Sequence, residues 1–156
     1  MNIKRITNYN EKVFEVILML LPQLSPDTEL PTEKFFKDLL ASGNTHIFIA
    51  ELDNNDIGGM LTIGTYLTPT GMKVWIEDVV VDEAQRGKGI GKDLIQFAID
   101  YAKSLKAKDI RLTSRASRVA ANQLYVKMGF VQYETNVYKY KVDLRTIIYK
   151  QDIIHL

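Results

Sequence analysis

The chain has no cysteine and only two histidines among its 156 residues. The absence of cysteine excludes disulfide bonds and thiolate metal sites. With only His46 and His155 to supply imidazole ligands, a histidine-based metal centre is not expected either, so we predict no metal. The length is that of one ordinary domain with a sizeable core, and we predict a single domain over residues 1–156.

Long apolar runs and a strong excess of one charge are also missing. No run approaches the roughly 20 apolar residues that a membrane span requires, and the N-terminus lacks the apolar stretch of a signal peptide. We therefore expect a cytoplasmic protein with no membrane partner. The formal net charge of +1 argues against a nucleic-acid partner, because proteins that bind nucleic acids usually carry a marked basic excess.

Hydrophobic periodicity predicts alternating helices and strands along one core region. The expected order is β-α-α-β-β-β-α-β-α-β, with Pro22 ending the first helix and Thr32 capping the second. The central three strands should form an antiparallel meander. The predicted elements are a strand at 1–7, helices at 10–21 and after 32, strands at 46–52, 58–67 and 72–81, a helix to 106, a strand at 110–114, a helix at 119–128 and strand material at 130–142.

The last stretch, Asp143 to Leu156, follows this core region, which ends at about Val142. It is rich in isoleucine and leucine, which is unusual for a solvated tail. We expect it to pack on its own domain or on a second subunit. The second alternative would make the protein a homodimer, and the sequence leaves both open.

A strand of valines, Val79 to Val81, leads into a turn that contains Gly87, Gly89 and Gly91 and then opens a helix. Glycines let the backbone approach a ligand without interference from a Cβ atom. The free N–H groups in the first turn of the following helix form an anion site that the helix dipole reinforces. Three cations, at positions 86, 88 and 92, lie in the same turn. The pattern predicts a site for a pyrophosphate.

Two familiar nucleotide motifs do not fit this turn. A G-x-G-x-x-G dinucleotide fingerprint counted from Gly87 and Gly89 would need glycine at Lys92. A G-x-x-x-x-G-K-[ST] phosphate loop would need glycine at Arg86 and a hydroxyl residue at Asp93. Both nucleotide motifs are therefore excluded.

The turn does fit the pattern Arg/Gln-x-x-Gly-x-Gly/Ala, through Arg86, Gly89 and Gly91. A second block, Ala121 to Phe130, reads A-x-x-L-Y-x-K-x-G-F. Together the two blocks resemble the GNAT superfamily of N-acetyltransferases, and the resemblance extends to about Val142. It implies the GNAT fold, an α/β (α+β) fold whose central mixed, mostly antiparallel twisted sheet is flanked by about four helices.

The resemblance implies that acetyl-CoA is the co-substrate. Backbone groups of the valine strand would bind the pantetheine arm, and backbone N–H groups of the glycine turn would bind the pyrophosphate. The family's asparagine usually stands where this chain has Arg118, so Arg118 could instead meet a coenzyme A phosphate. The cofactor-binding residues implied are Val79, Val80, Val81, Arg86, Gly87, Lys88, Gly89, Ile90, Gly91, Lys92, Asn122 and Tyr125.

The resemblance also implies a catalytic role for Tyr125, as the acid that protonates the departing thiolate. Spacing alone would equally allow a structural tyrosine beside Leu124 and Met128. The candidate base is Glu77, with the adjacent Asp78 as the other choice and a water relay as a third.

Alternation along the strand places Trp75, Glu77 and Val79 on one face and Ile76, Asp78 and Val80 on the other. One of the two acids is therefore expected to be poorly solvated. Burial would raise the pKa of that carboxyl toward the range of a base.

These inferences predict an N-acetyltransferase that acts on a primary amine of a small molecule or peptide. Without cysteine, direct attack in a ternary complex is favoured over an acetyl-enzyme route. The acceptor stays open among an amino sugar, a polyamine or drug-like amine, and a protein N-terminus or lysine. A non-catalytic acyl-CoA-binding sensor is the alternative from a different functional class.

Overall fold

The computed structural model describes residues 1–142, so the predicted packing of the extension from Asp143 to Leu156 lies outside the described residues. No helix in the described part is long and apolar enough to cross a membrane. The elements are β1 (Asn2–Ile6), α1 (Glu11–Leu24), α2 (Glu33–Ala41), β2 (Thr45–Glu51), β3 (Ile57–Thr68), β4 (Gly71–Val81), a short 3-10 helix (Glu83–Gln85), α3 (Ile90–Ser104), β5 (Arg111–Leu112) and α4 (Val119–Lys127).

The strands form one five-stranded sheet in the order β1-β2-β3-β4-β5. The first four strands pair antiparallel, which confirms the predicted meander, and β5 pairs parallel to β4. The sheet is therefore mixed and mostly antiparallel. β5 is much shorter than the predicted strand from Ile110 to Ser114, because only Arg111 and Leu112 find partners on β4.

The two faces of the sheet are covered by different helices. One face packs against α3, whose Leu94, Ile95 and Ala98 are fully buried with Leu61 and Ile63 of β3. The other face packs against α1 and α2 and buries Phe14, Ile17, Leu20 and Phe36 with Ile47, Met60 and Val80. We call these the α3 cluster and the α1–α2 cluster. The helices α1 and α3 each bury one apolar stripe, as the helical spacing predicts.

The predicted cap at the start of α2 is confirmed, but the predicted end of α1 is wrong. Thr32 caps α2 as predicted, because its hydroxyl accepts a hydrogen bond from the Phe35 N–H at 3.2 Å. Pro22 was expected to end α1, yet the helix continues to Leu24. A proline this close to a helix end sacrifices one backbone hydrogen bond, and the N–H of Ser25 still bonds to Leu21 O at 3.1 Å to close the last turn.

β4 contains a β-bulge at Glu77. Thr62 of β3 lies opposite Asp78 and Ile63 lies opposite Ile76, so Glu77 is an extra residue with no partner of its own. A bulge bends a strand and shifts its alternation by one position.

The shift corrects the predicted faces of β4. Simple alternation put Ile76 and Val80 on one face and Val79 on the other. In the structure Ile76 and Val79 both belong to the α3 cluster, whereas Val80 belongs to the α1–α2 cluster. The prediction that Glu77 and Asp78 face opposite sides rested on the same unbroken alternation, so it no longer holds.

The predicted strand from Phe130 to Val142 does not form within the described residues. The apolar positions run 131, 133 and 137 and then shift to 138, 140 and 142, so no single face of a strand could bury them all. Tyr138 and Tyr140 are 87% and 88% exposed. The alternation of tyrosine and valine was therefore a misleading signal for this segment.

Candidate active site

β4 and β5 separate immediately before the bulge. Their pairing ends at Ile76 opposite Leu112, and within the described residues no backbone group pairs with β4 from Glu77 to Val81 on that side. Backbone N–H and C=O groups at such an edge are available to an extended ligand. The open stretch contains the valines expected to bind the pantetheine arm, and it leads directly into the glycine turn.

The glycine turn is open to solvent. Gly87 and Gly89 have φ values of 79° and 88°, and a Cβ atom built on either would meet nothing within 4 Å. Gly89 is the N-cap of α3 and provides no side-chain hydrogen bond, so the first N–H groups of this 15-residue helix have no capping side chain. The geometry suits an anion that approaches the backbone closely.

Packing holds the amino end of α3 at this place. Ile90 is buried, and its Cδ1 lies 2.9 Å from where a Cβ of Gly58 would stand. Gly91 lies against Leu124 of α4 and Val81 of β4, since its Cβ would meet their side-chain carbons at 3.5 and 3.6 Å. Because positions 58 and 91 are glycines, α3 can start close to β3, β4 and α4.

The cations of the turn are exposed and make contacts of their own. Lys88 Nζ donates to Gln85 Oε1 at 2.8 Å, and Arg86 Nε donates to Val81 O at 3.4 Å. Lys92 is also exposed. Close anion contact in this geometry would therefore come first from the backbone N–H groups.

The poorly solvated acid is Asp78. Its side chain is half-buried, and burial raises the pKa of its carboxyl, while a hydrogen bond from Thr62 and the charge of Arg118 partly offset that rise. Glu77 is exposed at the bulge, and its carboxylate lies over the backbone of Gly64, 3.7 Å from where a Cβ of that glycine would stand. The two candidate bases thus differ in environment.

Tyr125 lies in the last turn of α4. The glycine and phenylalanine of the L-Y-x-K-x-G-F block form the hydrogen-bonded motif that ends this helix. Gly129 has a φ of 92°, its N–H bonds to Val126 O at 3.0 Å, and the N–H of Phe130 bonds to Tyr125 O at 3.0 Å. This is a Schellman motif, in which the residue after glycine packs on the residue five positions earlier. The rings of Tyr125 and Phe130 are accordingly 5.9 Å apart.

The Tyr125 side chain is half-buried against the α3 cluster. Burial raises the pKa of its hydroxyl, and the charge of Arg118 lowers it. Arg118 therefore influences both Asp78 and Tyr125, which brings the two groups into the field of one guanidinium. This relation was not evident in the sequence, because the three residues lie far apart along the chain. Asp78 belongs to β4 and Tyr125 to α4, and Arg118 is the N-cap residue of α4.

Arg118 and Asn122 both make contacts that the sequence did not predict. Arg118 Nη2 donates to the carbonyl of Leu24, the last residue of α1, at 2.8 Å. Asn122 Nδ2 donates to the carbonyl of Arg115 at 2.9 Å and so holds the turn before α4. Thr62, which is buried beside Asp78, was missed entirely, because one threonine in an apolar strand carries no signal of its own.

Among residues 1–142, no three histidine, cysteine, aspartate or glutamate side chains are grouped as metal ligands would be.

Comparison with known proteins identifies the family. The sequence model of the Acetyltransferase (GNAT) family matches residues 11–130. Glucosamine 6-phosphate N-acetyltransferase 1 of Oryza sativa subsp. japonica is 29% identical over 123 residues, which cover 74% of this chain and 73% of the rice protein. Streptothricin acetyltransferase of Escherichia coli is 39% identical over 66 residues, which cover 42% of this chain and 38% of that protein.

Solved structures confirm the predicted fold. An aminoglycoside acetyltransferase from an uncultured soil metagenomic sample superimposes with a TM-score of 0.79 at 21% identity, covering 90% of this chain and 95% of that one. At this identity the likeness shows the fold alone.

The raised pKa of Asp78 gives a prediction for stability. Because the folded protein holds the carboxyl proton more tightly than the unfolded chain, stability should fall as pH rises above the ordinary value of 3.8 and through the folded pKa. Asp78→Asn removes the titrating group. Over this pH range the free energy of unfolding of the variant should therefore increase relative to that of the wild type. Urea unfolding at a series of pH values measures the difference.

The control is Glu77→Gln, which removes an acid from the exposed neighbouring position. A gap between Asp78→Asn and the wild type that stays constant with pH, or that grows no more than the gap of this control, would contradict the assignment of Asp78 as the buried acid.

Proposed function

Since the chain belongs to the GNAT family of acetyltransferases, we propose that it transfers an acetyl group from acetyl-CoA to a primary amine of a small molecule or peptide. The observation that carries this proposal is the open edge of β4 leading into the glycine turn. An extended pantetheine arm and a pyrophosphate need this combination, namely a strand edge with free amide groups followed by an uncapped helix start.

The residues present fit coenzyme A at this place. Val79, Val80 and Val81 would hold the pantetheine arm through their backbone, and residues 86–92 would hold the pyrophosphate. Asn122 would contribute its side-chain oxygen and its second amide N–H, since only one of its two amide hydrogens bonds to Arg115 O. Bound acetyl-CoA supplies an activated thioester.

The acceptor amine has to lose protons before and during attack. An alkylammonium has a pKa of about 10.4, so exposing its lone pair at pH 7 costs roughly 4–5 kcal/mol. Asp78 is suited to accept such a proton, directly or through a water molecule, because burial has raised the pKa of its carboxyl. Glu77 remains the second candidate, because its exposed carboxylate at the bulge is accessible to an acceptor.

Tyr125 would act on the sulfur side. As the amine nitrogen bonds to the carbonyl carbon and the carbon–sulfur bond breaks, the departing thiolate needs a proton. The half-buried hydroxyl of Tyr125 carries its proton at neutral pH, since the ordinary tyrosine pKa is 10.0 and burial raises it further. It would donate that proton to sulfur and recover one from solvent, which balances the proton that the base removed.

The acceptor belongs to the class of small-molecule or peptide amines. The relatives named above include a glucosamine 6-phosphate N-acetyltransferase and a streptothricin acetyltransferase, which makes glucosamine 6-phosphate and streptothricin the first acceptors to test. Polyamines and peptides with a free N-terminus complete the panel.

Release of free thiol from acetyl-CoA, together with formation of an acetylated amine by mass spectrometry, tests the activity. We expect turnover with at least one amine of the panel and a fall of about 100-fold or more in kcat for Tyr125→Phe, the range that a general acid contributes. Tyr101→Phe removes a hydroxyl from another half-buried tyrosine, on α3, and should retain the rate.

Two results would contradict this account. Tight binding of coenzyme A without turnover on any amine would favour the non-catalytic sensor. Turnover that is equally fast in Tyr125→Phe and in the wild type would remove Tyr125 from the chemistry.

The donor site is tested by Gly89→Glu. A carboxylate and a side chain at this position would oppose the pyrophosphate by charge and by bulk, so stabilisation of the protein against heat by coenzyme A should be lost. The matched control is Gly43→Glu, because Gly43 also has a positive φ, 72°, and open space around it. Both variants carry the same kind of backbone strain, about 1–2 kcal/mol, so only loss specific to Gly89→Glu supports the site.

Stabilisation by coenzyme A that persists in Gly89→Glu would mean that the pyrophosphate lies elsewhere.

A further inference from the structure

We propose that Arg118 is a positioning residue for acetyl transfer, because its guanidinium fastens the amino end of α4, the helix that carries Tyr125, to the carboxyl end of α1. This inference rests on the proposed function for its role in catalysis. Its structural basis is independent of that function, because it consists of contacts within the described chain.

The first contact caps a helix across a long separation in sequence. The last turn of α1 contains no basic residue, and helix carbonyls at this end lack partners of their own. Arg118 Nη2 supplies a donor to the Leu24 carbonyl at 2.8 Å from a position 94 residues further along the chain. A cation at the carboxyl end of a helix is also favoured by the helix dipole.

The backbone of Arg118 is itself held in place. Its N–H donates to Arg115 O at 3.0 Å, and its carbonyl accepts the first helical hydrogen bond of α4, from Asn122 N at 2.9 Å. The side chain of Asn122 closes the same turn by donating to Arg115 O. The Arg118 side chain therefore extends from a backbone position that three hydrogen bonds hold in place.

The tether matters because α4 is thinly anchored. No residue of this helix is fully buried, and only its half-buried side chains, Leu124 and Tyr125 among them, pack on the α3 cluster. A small tilt of α4 would move the Tyr125 hydroxyl, and a misplacement of about 1 Å in an active site can cost on the order of 100-fold in rate.

The end of α1 is fastened on its other side as well. Gln23 Oε1 accepts a hydrogen bond from the N–H of Glu83 at 2.8 Å, in the short 3-10 helix that precedes the glycine turn. The same turn of α1 thus meets the donor-site loop through Gln23 and α4 through Arg118.

The charge of Arg118 acts on the two titrating groups in the same direction. A nearby cation favours the ionised form of an acid, so Arg118 lowers the pKa of the Asp78 carboxyl and that of the Tyr125 hydroxyl, against burial in both cases. The other group that acts on Asp78 is the hydroxyl of Thr62. Without Arg118 both groups should hold their protons to higher pH.

Arg118→Met tests the proposal through a pH profile. If Asp78 is the base and Tyr125 the acid, kcat/KM rises with pH as Asp78 ionises and falls as Tyr125 ionises. We expect both limbs to move to higher pH in Arg118→Met, with kcat reduced by about 10- to 100-fold. Arg118→Lys keeps the charge and should return both limbs toward the wild type while recovering only part of the rate.

The control is Arg115→Met, which removes an exposed cation three residues away and should leave the profile in place. Carbon-13 NMR titration of the Asp78 carboxyl and the Tyr125 ring in the cofactor-free protein reads the same shifts without turnover. Titrations that coincide in Arg118→Met and the wild type would overturn the proposal. Shifted titrations in a protein that acetylates no amine would support the action of the Arg118 charge on both groups, but they would contradict the proposed function and with it the role of Arg118 in acetyl transfer.

Discussion

The separation of β4 from β5 at a β-bulge is the constraint on which the rest of the site depends. Pairing stops at Ile76, the bulge inserts Glu77, and the strand continues to Val81 with one edge unpaired among the described residues. A sheet edge buried without partners would be costly, so an opening of this kind persists where a ligand or solvent can satisfy it. The same bulge directs Val80 to the α1–α2 cluster and leaves Asp78 half-buried beside Thr62.

Three contacts connect this opening to its surroundings, and each comes from a different part of the chain. Gly91 allows α3 to start against Val81 and Leu124, so the amino end of α3 and the helix α4 lie next to the strand edge. The Schellman motif at Gly129 fixes Tyr125 by packing Phe130 on its ring. The contact from Arg118 to Leu24 then ties α4 to α1. The open edge of β4 and the helices α1, α3 and α4 are therefore joined by a small set of contacts.

The sequence predicted the parts of this structure that depend on local signals. Periodicity identified the helices and the meander, Thr32 was a correct cap, and two short motifs identified the family. Predictions failed where a contact distant in sequence decides the outcome. A bulge depends on the pairing of two strands, so the prediction of which side chains around Glu77 share a face was wrong. The prediction that Pro22 ends α1 failed for a local reason, because a proline in the last turn of a helix removes only one backbone hydrogen bond. The strand predicted after Phe130 would need a neighbouring edge that β5, at two residues, does not offer.

The most direct test of this account is amide hydrogen exchange with and without coenzyme A, read on the segment from Asp78 to Lys92. We predict slower exchange, when coenzyme A is bound, for the β4 amides beyond the bulge that do not bond to β3 and for the first amides of α3. Exchange that is unchanged across this segment while other parts of the chain become protected would contradict it, because the unpaired strand edge and the glycine turn would then not be the donor site.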